Sequence, residues 1–282
     1  MTNPIADPLV EVPDTDTQSG LALLDATAEG VAYVTLNRAV KKNAFNAELI
    51  LALKEVFETL QAAEGIRVVF LRGAGGMFSA GADLEWMRDA AEFSERENRD
   101  DAMEMARMLK ALYDLPALTV ALVEGGAYGG GSGLVAACDL AIAVKDAKFA
   151  FSEVKLGLVA ATISPYVVGA IGPRRARGLF ATARVFDSGH AQAIGLVDLV
   201  VEDAAALSAA AEQIVNDILL CAPGAVAASK DLVSHVADRD IDHDLMEETA
   251  RRIAHARVSE EGQEGVKAFL ARSKPSWAGG GD

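Results

Sequence analysis

Basic residues are in short supply in this sequence: 26 Lys and Arg stand against 41 Asp and Glu, a net charge of −15. A surface that acidic repels phosphate backbones and anionic lipid headgroups. Nucleic acid and membrane are therefore excluded as default partners, although a local basic patch can still receive a phosphorylated ligand. Aromatic residues make up only 6% of the chain, which leaves no platform on which unpaired bases could stack. No run approaches the roughly 18 consecutive apolar residues that a bilayer-spanning helix requires. The two cysteines, Cys138 and Cys221, lie far apart and form neither a disulfide framework nor a metal-type spacing. Cys138, inside an apolar run, reads as a small core residue. Residues 1–19 are acidic, hold Pro4, Pro8 and Pro13, and lack both an apolar signal core and an Arg-rich amphipathic helix. They are expected to be a disordered lead-in to a cytoplasmic protein.

What the chain does have is apolar content, 51% over 282 residues, enough for one large α/β domain with a helical appendage. Two β-rich runs, 21–26 and 31–36, flank Glu29-Gly30 and read as a hairpin. Asn46 caps a helix whose apolar positions Leu49, Leu53, Val56, Phe57 and Leu60 recur at helical spacing. A buried strand is expected over 67–71, and Ser94 with Glu97 three residues on forms a capping box for a helix running to Asp114. Strands at 118–123 and 139–144 bracket a glycine-rich turn and a short helix at 134–137. Strand, turn, helix and strand in succession favour β-α units around a mostly parallel sheet. From Pro173 onward the pattern is helical, with segments at 174–182, 188–194, 204–220, 225–237, 245–255 and 260–271.

Glycine at the density of EGGAYGGGSGLVAACDLAIA, residues 124–143, costs backbone entropy and needs a reason. A dinucleotide fingerprint starting at Gly129 fails because Leu134 occupies its sixth position. A phosphate-binding P-loop fails because Gly133 is followed by Leu134 and Val135 rather than by Lys and Ser or Thr. What remains is a helix N-terminus with bare backbone N–H groups, suited to a developing negative oxygen, or a tight turn with no ligand. A second stretch, FSAGADLEWM at 78–87, also exposes backbone between the small residues Ala80, Gly81 and Ala82. One N–H from each stretch would make a hole for a thioester oxygen.

These two loops, in this order, resemble those of the crotonase superfamily of enoyl-CoA hydratases and isomerases. The similarity extends from about residue 21 to the C-terminus and includes NAFN at 43–46, GHAQAIGLVDLVV at 189–201 and KAFLARSKPSW at 267–277. The resemblance implies a crotonase-like spiral of β-β-α units over residues 20–200. It also implies a helical region over 201–282 that serves oligomerisation and completes the coenzyme A site, in a homotrimer or a dimer of trimers. The substrate implied is an acyl-CoA thioester, with coenzyme A entering as part of that substrate and no permanently bound cofactor or metal. Carried over residue by residue, the oxyanion hole falls on the backbone N–H groups of Ala82 and Gly130. Ala80, Gly81, Asp83, Leu84, Glu85, Gly129 and Gly133 line the substrate. Lys41 and Lys42 read either as contacts to the cofactor phosphates or as two solvated lysines, and Phe269 and Lys274 as late contacts to the nucleotide.

Two-glutamate hydratases of that superfamily carry one acid at the position of Gly133 and the other at the position of Glu153. Here only Glu153 is present, so one carboxyl must carry the proton traffic. The bland alternative makes Glu153 a surface residue paired with Lys155. The combination GGGSGLVAACDLAIA with SEVKLGLVAATISPYVV resembles the bacterial 3-methylglutaconyl-CoA and isohexenylglutaconyl-CoA hydratases, which implies hydration despite the missing acid. A double-bond isomerase on the same scaffold is the first alternative. A non-catalytic acyl-CoA or RNA-binding protein is the alternative of another class. Asp139 is expected to satisfy backbone donors, Asp83 to fix its own loop, and Tyr128 and Ser132 to pack at the turn. His190 lacks partners at metal or triad spacing.

Overall fold

The hairpin forms in the computed structural model, which describes residues 20–279; the lead-in expected over 1–19 lies outside the described residues. Ala22–Ala26 (β1) pairs antiparallel with Val31–Leu36 (β2), with Ala26 opposite Ala32. The helix Ala47–Ala62 (α1) starts where the Asn46 side chain accepts from the Leu49 N–H at 3.0 Å. It returns the chain to Val68–Gly73 (β3), which lies parallel to β2. Leu84–Ala90 (α2) and Glu95–Tyr113 (α3) follow, and the expected capping box at Ser94 and Glu97 opens α3. Leu118–Val123 (β4) pairs parallel with β3. Then come Gly126–Tyr128 (β5), Gly130–Ala137 (α4), Leu140–Val144 (β6) and Lys148–Ala150 (β7). A 3₁₀ turn at Glu153–Leu156 leads into Ser164–Ile171 (α5), Pro173–Thr182 (α6), Phe186–Asp187 (β8), Ser188–Ile194 (α7) and Leu199–Val201 (β9). The remainder is helical: Ala204–Ile218 (α8), Pro223–Val236 (α9), His243–Val258 (α10) and Glu260–Ala271 (α11). Among the described residues no single helix is long and apolar enough to cross a membrane.

The main sheet runs β1-β2-β3-β4-β6-β9, parallel throughout except for the β1–β2 hairpin. A small second sheet runs β5-β7-β8. Strand periodicity sorts the core into two layers. Ala32, Val34, Leu36, Val69, Leu71, Ala121 and Val123 pack with Leu49, Leu53 and Phe57 of α1 and Met108 and Leu112 of α3. The intervening residues Val31, Tyr33, Val68, Phe70, Val120 and Leu122 pack with Leu207, Ala211 and Ile218 of α8. Burial on both faces explains why these strands read as continuous apolar runs rather than as alternating ones.

One expectation needs correction. The short helix expected over 134–137 begins earlier, at Gly130, so Gly130, Gly131 and Gly133 lie inside α4 rather than in the turn before it. The cause is tertiary. Gly131 sits against Ser79 and Gly130 against the Phe45 ring and the Met105 methyl, so that helix turn must be made of bare backbone to fit. The strands β5 and β7, three residues each, and helix α5 are further elements that periodicity did not single out.

Asp139 does satisfy backbone, accepting from the Thr119 N–H and hydroxyl at 2.8 Å each. It also pairs with Lys230 of α9 at 2.6 Å, whose ammonium donates in addition to the carbonyls of Leu115 and Ala117. This clamp fastens the helical region to the sheet. Lys230→Met leaves a half-buried carboxylate and two carbonyls without their donor, and is expected to cost about 2 kcal/mol, read by urea denaturation.

Candidate active site

The loops that follow β3 and β4 emerge at the carboxyl ends of parallel strands, where open α/β sheets collect their ligands. The first is held by segment 38–45. Asn43, fully buried with φ of 54°, donates from its side-chain amide to the Ala74 carbonyl at 2.9 Å and the Met77 carbonyl at 2.6 Å. Its side-chain oxygen accepts from the Arg38 N–H. The Ser79 hydroxyl donates to the Asn43 carbonyl at 2.8 Å and accepts from the Gly81 N–H at 3.2 Å. Phe45 then forms an isolated parallel bridge to Ala82: its N–H donates to the Gly81 carbonyl, and the Asp83 N–H donates to the Phe45 carbonyl. In such a bridge the flanked residue turns its own N–H away from its partner. The Ala82 N–H has no acceptor among the described residues.

The second loop is stitched to the first. Ser79 bridges Ala127, with the Ser79 N–H donating to the Gly126 carbonyl and the Tyr128 N–H to the Ser79 carbonyl. Gly81 stands so close to Tyr128 that a Cβ there would lie 3.0 Å from the Tyr128 carbonyl oxygen. Gly129, at φ 50° and ψ −117°, caps α4 in a conformation that only glycine adopts without strain. The first turn of α4 closes with the Gly133 N–H on the Gly129 carbonyl, so the Gly130 N–H lies ahead of the helix ladder and also has no acceptor. Two main-chain donors, one from each of two adjoining turns, are thereby left without an acceptor among the described residues, and the Gly130 donor lies at the positive end of α4. The Ser132 hydroxyl donates to the Ala127 carbonyl and so packs at the turn.

Glu153 opens the 3₁₀ turn that follows β7. Its Oε1 would lie 3.3 Å from a Cβ on Gly129, so the carboxyl rests against the bare cap of α4. Oε2 is buried and has no hydrogen-bond partner among the described residues, and no ion pair with Lys155 forms. Burial pushes this carboxyl above the usual glutamate range, more than its own backbone N–H pulls it down. A carboxyl whose neutral form is favoured in this way can give a proton as well as take one.

Asp83, nearly fully buried, caps α2 by accepting from the Glu85 N–H at 2.7 Å and pairs with the Arg38 guanidinium at 2.5 Å. The guanidinium first, and the Glu85 N–H second, hold the Asp83 carboxyl below the ordinary aspartate range. Lys41 and Lys42 lie beside the same loop: the Lys42 carbonyl accepts from the Ala80 N–H, and the Lys41 ammonium sits 3.4 Å from an exposed Glu85 oxygen. Leu84 is exposed at the mouth of the loop. Phe269 is 83% exposed on α11, which packs on α10, and no hydrogen bond or ion pair among the described residues joins Phe269 or Lys274 to the two loops. His190 packs on the Phe186 ring and meets Arg184, and no group of metal-ligating side chains is found among the described residues. Sequence reasoning passed over Arg38, Asn43 and Ser79. The one signal that could have flagged them is the NAFN segment, whose first Asn is a residue type that tolerates positive φ.

The chain matches the enoyl-CoA hydratase/isomerase family over residues 26–280. An enoyl-CoA hydratase structure from Shewanella pealeana superposes with a TM-score of 0.89 at 40% identity, covering 93% of this chain and 97% of that one. AtuE of Pseudomonas aeruginosa superposes with a TM-score of 0.88 at 37% identity, covering 92% and 100%. The human mitochondrial methylglutaconyl-CoA hydratase is 29% identical over 261 residues, 91% of this chain and 76% of that protein.

Proposed function

Because this chain belongs to the enoyl-CoA hydratase/isomerase family, we propose that it adds water across the 2,3 double bond of a branched enoyl-CoA thioester of the 3-methylglutaconyl type. It is an enzyme, and its relatives are named hydratases. The observation that carries the reading is the pairing of two unaccepted main-chain N–H groups, on Ala82 and Gly130, with one buried carboxyl whose second oxygen has no partner. The thioester oxygen accepts from both N–H groups, and the charge that develops on it as the enolate forms is stabilised there. Ionised Glu153 takes a proton from water as the water oxygen bonds to the β-carbon. Protonated Glu153 then delivers that proton to the α-carbon, and the carboxylate is restored. One group acts as base and then as acid, so Gly133 in place of a second acid does not break the cycle.

Coenzyme A enters and leaves as part of the substrate. Leu84 and Glu85 border its pantetheine and adenine, and Lys41 and Lys42 face its phosphates. The branched acyl chain is supported by the human relative named for methylglutaconyl-CoA and by the resemblance to the bacterial branch. We assign the helices beyond residue 201 to assembly into a trimer or a dimer of trimers. The exposed Ile253, Val258, Val266, Phe269 and Leu270 on α10 and α11 supply an apolar face for it.

The deciding measurement is turnover of 3-methylglutaconyl-CoA beside crotonyl-CoA in heavy-oxygen water. Hydration places the label on the β-carbon, with the larger kcat/KM for the branched substrate. An unlabelled product with a shifted double bond indicates an isomerase. Tight acyl-CoA binding with no product from either thioester indicates a binding protein.

A further inference from the structure

Gly129, the cap of α4, and Gly133, in its first turn, are joined by the Gly133 N–H donating to the Gly129 carbonyl at 3.1 Å, so they stand one turn apart. Each is filled from outside by a different side chain. The Glu153 carboxyl rests on Gly129, and Ile163 rests on Gly133. A Cβ at position 133 would fall inside the envelope of the Ile163 Cγ2 methyl and 2.7 Å from its Cβ. Ile163 branches at Cβ, one bond from the backbone, and is 2% exposed, so it has neither the rotamers nor the room to swing aside. A side chain at 133 and the isoleucine at 163 are mutually exclusive. The volume that a second acid would claim is held by a methyl group, one helical turn from the Glu153 carboxyl.

We infer that Ile163, seated on Gly133, is a specificity-determining residue of the acyl site, providing the apolar wall that receives a methyl branch at the substrate β-carbon. The inference rests on the enoyl-CoA reading, because Glu153 can serve the α- and β-carbons only if both lie within proton-transfer reach of it. A substituent on the β-carbon then meets the side chain that stands one turn further along, over Gly133. A carboxylate there would be desolvated by a methyl branch, whereas an isoleucine methyl packs against it. One methyl group in a fitted apolar site discriminates by roughly tenfold or more.

Saturated thioesters cannot be hydrated, so their dissociation constants read the wall apart from the chemistry. Calorimetric titration of the full chain with isovaleryl-CoA and butyryl-CoA is expected to show about a tenfold preference for the branched acyl group. Ile163→Ala is expected to reduce that preference to about twofold or less, and Ile163→Leu, which removes the methyl branch at Cβ but keeps the volume, to an intermediate value. Should Ile163→Ala fail to fold, Ile163→Leu decides. A wild-type chain with no preference, or a ratio unchanged in the variants that fold, overturns the inference. Gly133→Ala is expected to lower the melting temperature, and the same change in an Ile163→Ala background to lower it much less. Equal losses in both backgrounds also overturn it. A chain that shows the binding preference but hydrates no enoyl-CoA defeats the hydratase reading alone and leaves the wall in place.

Discussion

Glu153→Gln is expected to lower turnover by roughly 10²-fold or more while acyl-CoA binding is retained. The amide matches the carboxyl in shape and still rests on Gly129, so the pocket keeps its form, but it can neither take a proton from water nor give one to carbon. Where a second acid would stand at Gly133, the side chain that fills the space is Ile163, which carries no transferable proton. Near-normal turnover in the variant would remove Glu153 from the mechanism. The same substitution should act on stability in the opposite sense. Burial raises the Glu153 carboxyl in the folded chain above its value in the unfolded chain, so the folded state holds its proton more tightly. Folding is therefore penalised as pH rises from the ordinary glutamate range, about 4.3, through the raised folded value, and not below it. The glutamine variant lacks that penalty. Its melting temperature should match the wild type near pH 4 and exceed it at pH 8, and a wild-type advantage at pH 8 would show that the carboxyl is better satisfied than its unpartnered Oε2 indicates.

The parts of this fold that local chemistry dictates were legible in the sequence. The β1–β2 hairpin, the Asn46 cap and the Ser94–Glu97 capping box depend on neighbours a few residues away, and all three form. Helix α4 was read as beginning after its glycines because glycine is a poor helix former in isolation. Its true start is set by Phe45, Ser79 and Met105, which press on positions 130 and 131 from distant segments. The strands β5 and β7 are too short for an alternation to register, yet they dock Tyr128 and Ala150 beside each other and so bring Glu153 to the cap of α4. Ile163 filling the space over Gly133 belongs to the same class: neither residue carries a signal alone, and only the fold shows that the glycine at 133 and the branched side chain at 163 depend on each other. The candidate donors on Ala82 and Gly130 could be proposed from motif resemblance, but the scaffold that frees their N–H groups could not, since it joins segments as distant as Arg38 and Asp83, 45 residues apart, and Phe45 and Gly130.

That scaffold is the target of the second large effect. Arg38→Met should destabilise the chain by on the order of 3 kcal/mol, because it strands the Asp83 carboxylate in a nearly water-free position. The guanidinium also donates to the Ala44 carbonyl at 3.1 Å, so its loss loosens segment 44–45, which holds Gly81 and Asp83 through Phe45. Ala82 lies between those two anchors. Displacing its N–H by a fraction of an ångström removes an interaction made most strongly in the transition state, so kcat should fall at least tenfold with little change in acyl-CoA affinity. Arg38→Lys, which restores a charge but not the planar fork, should recover more stability than turnover. The pH dependence identifies the ion pair as the cause. Asp83 titrates below the ordinary aspartate range when folded, so the pair contributes its stability above about pH 4 and loses it as pH falls through the lowered folded value. Urea denaturation of the wild type and Arg38→Met should therefore differ most near pH 7 and converge in strong acid. A gap of constant size across that range would mean that packing of the arginine stem, rather than its charge, holds the loop.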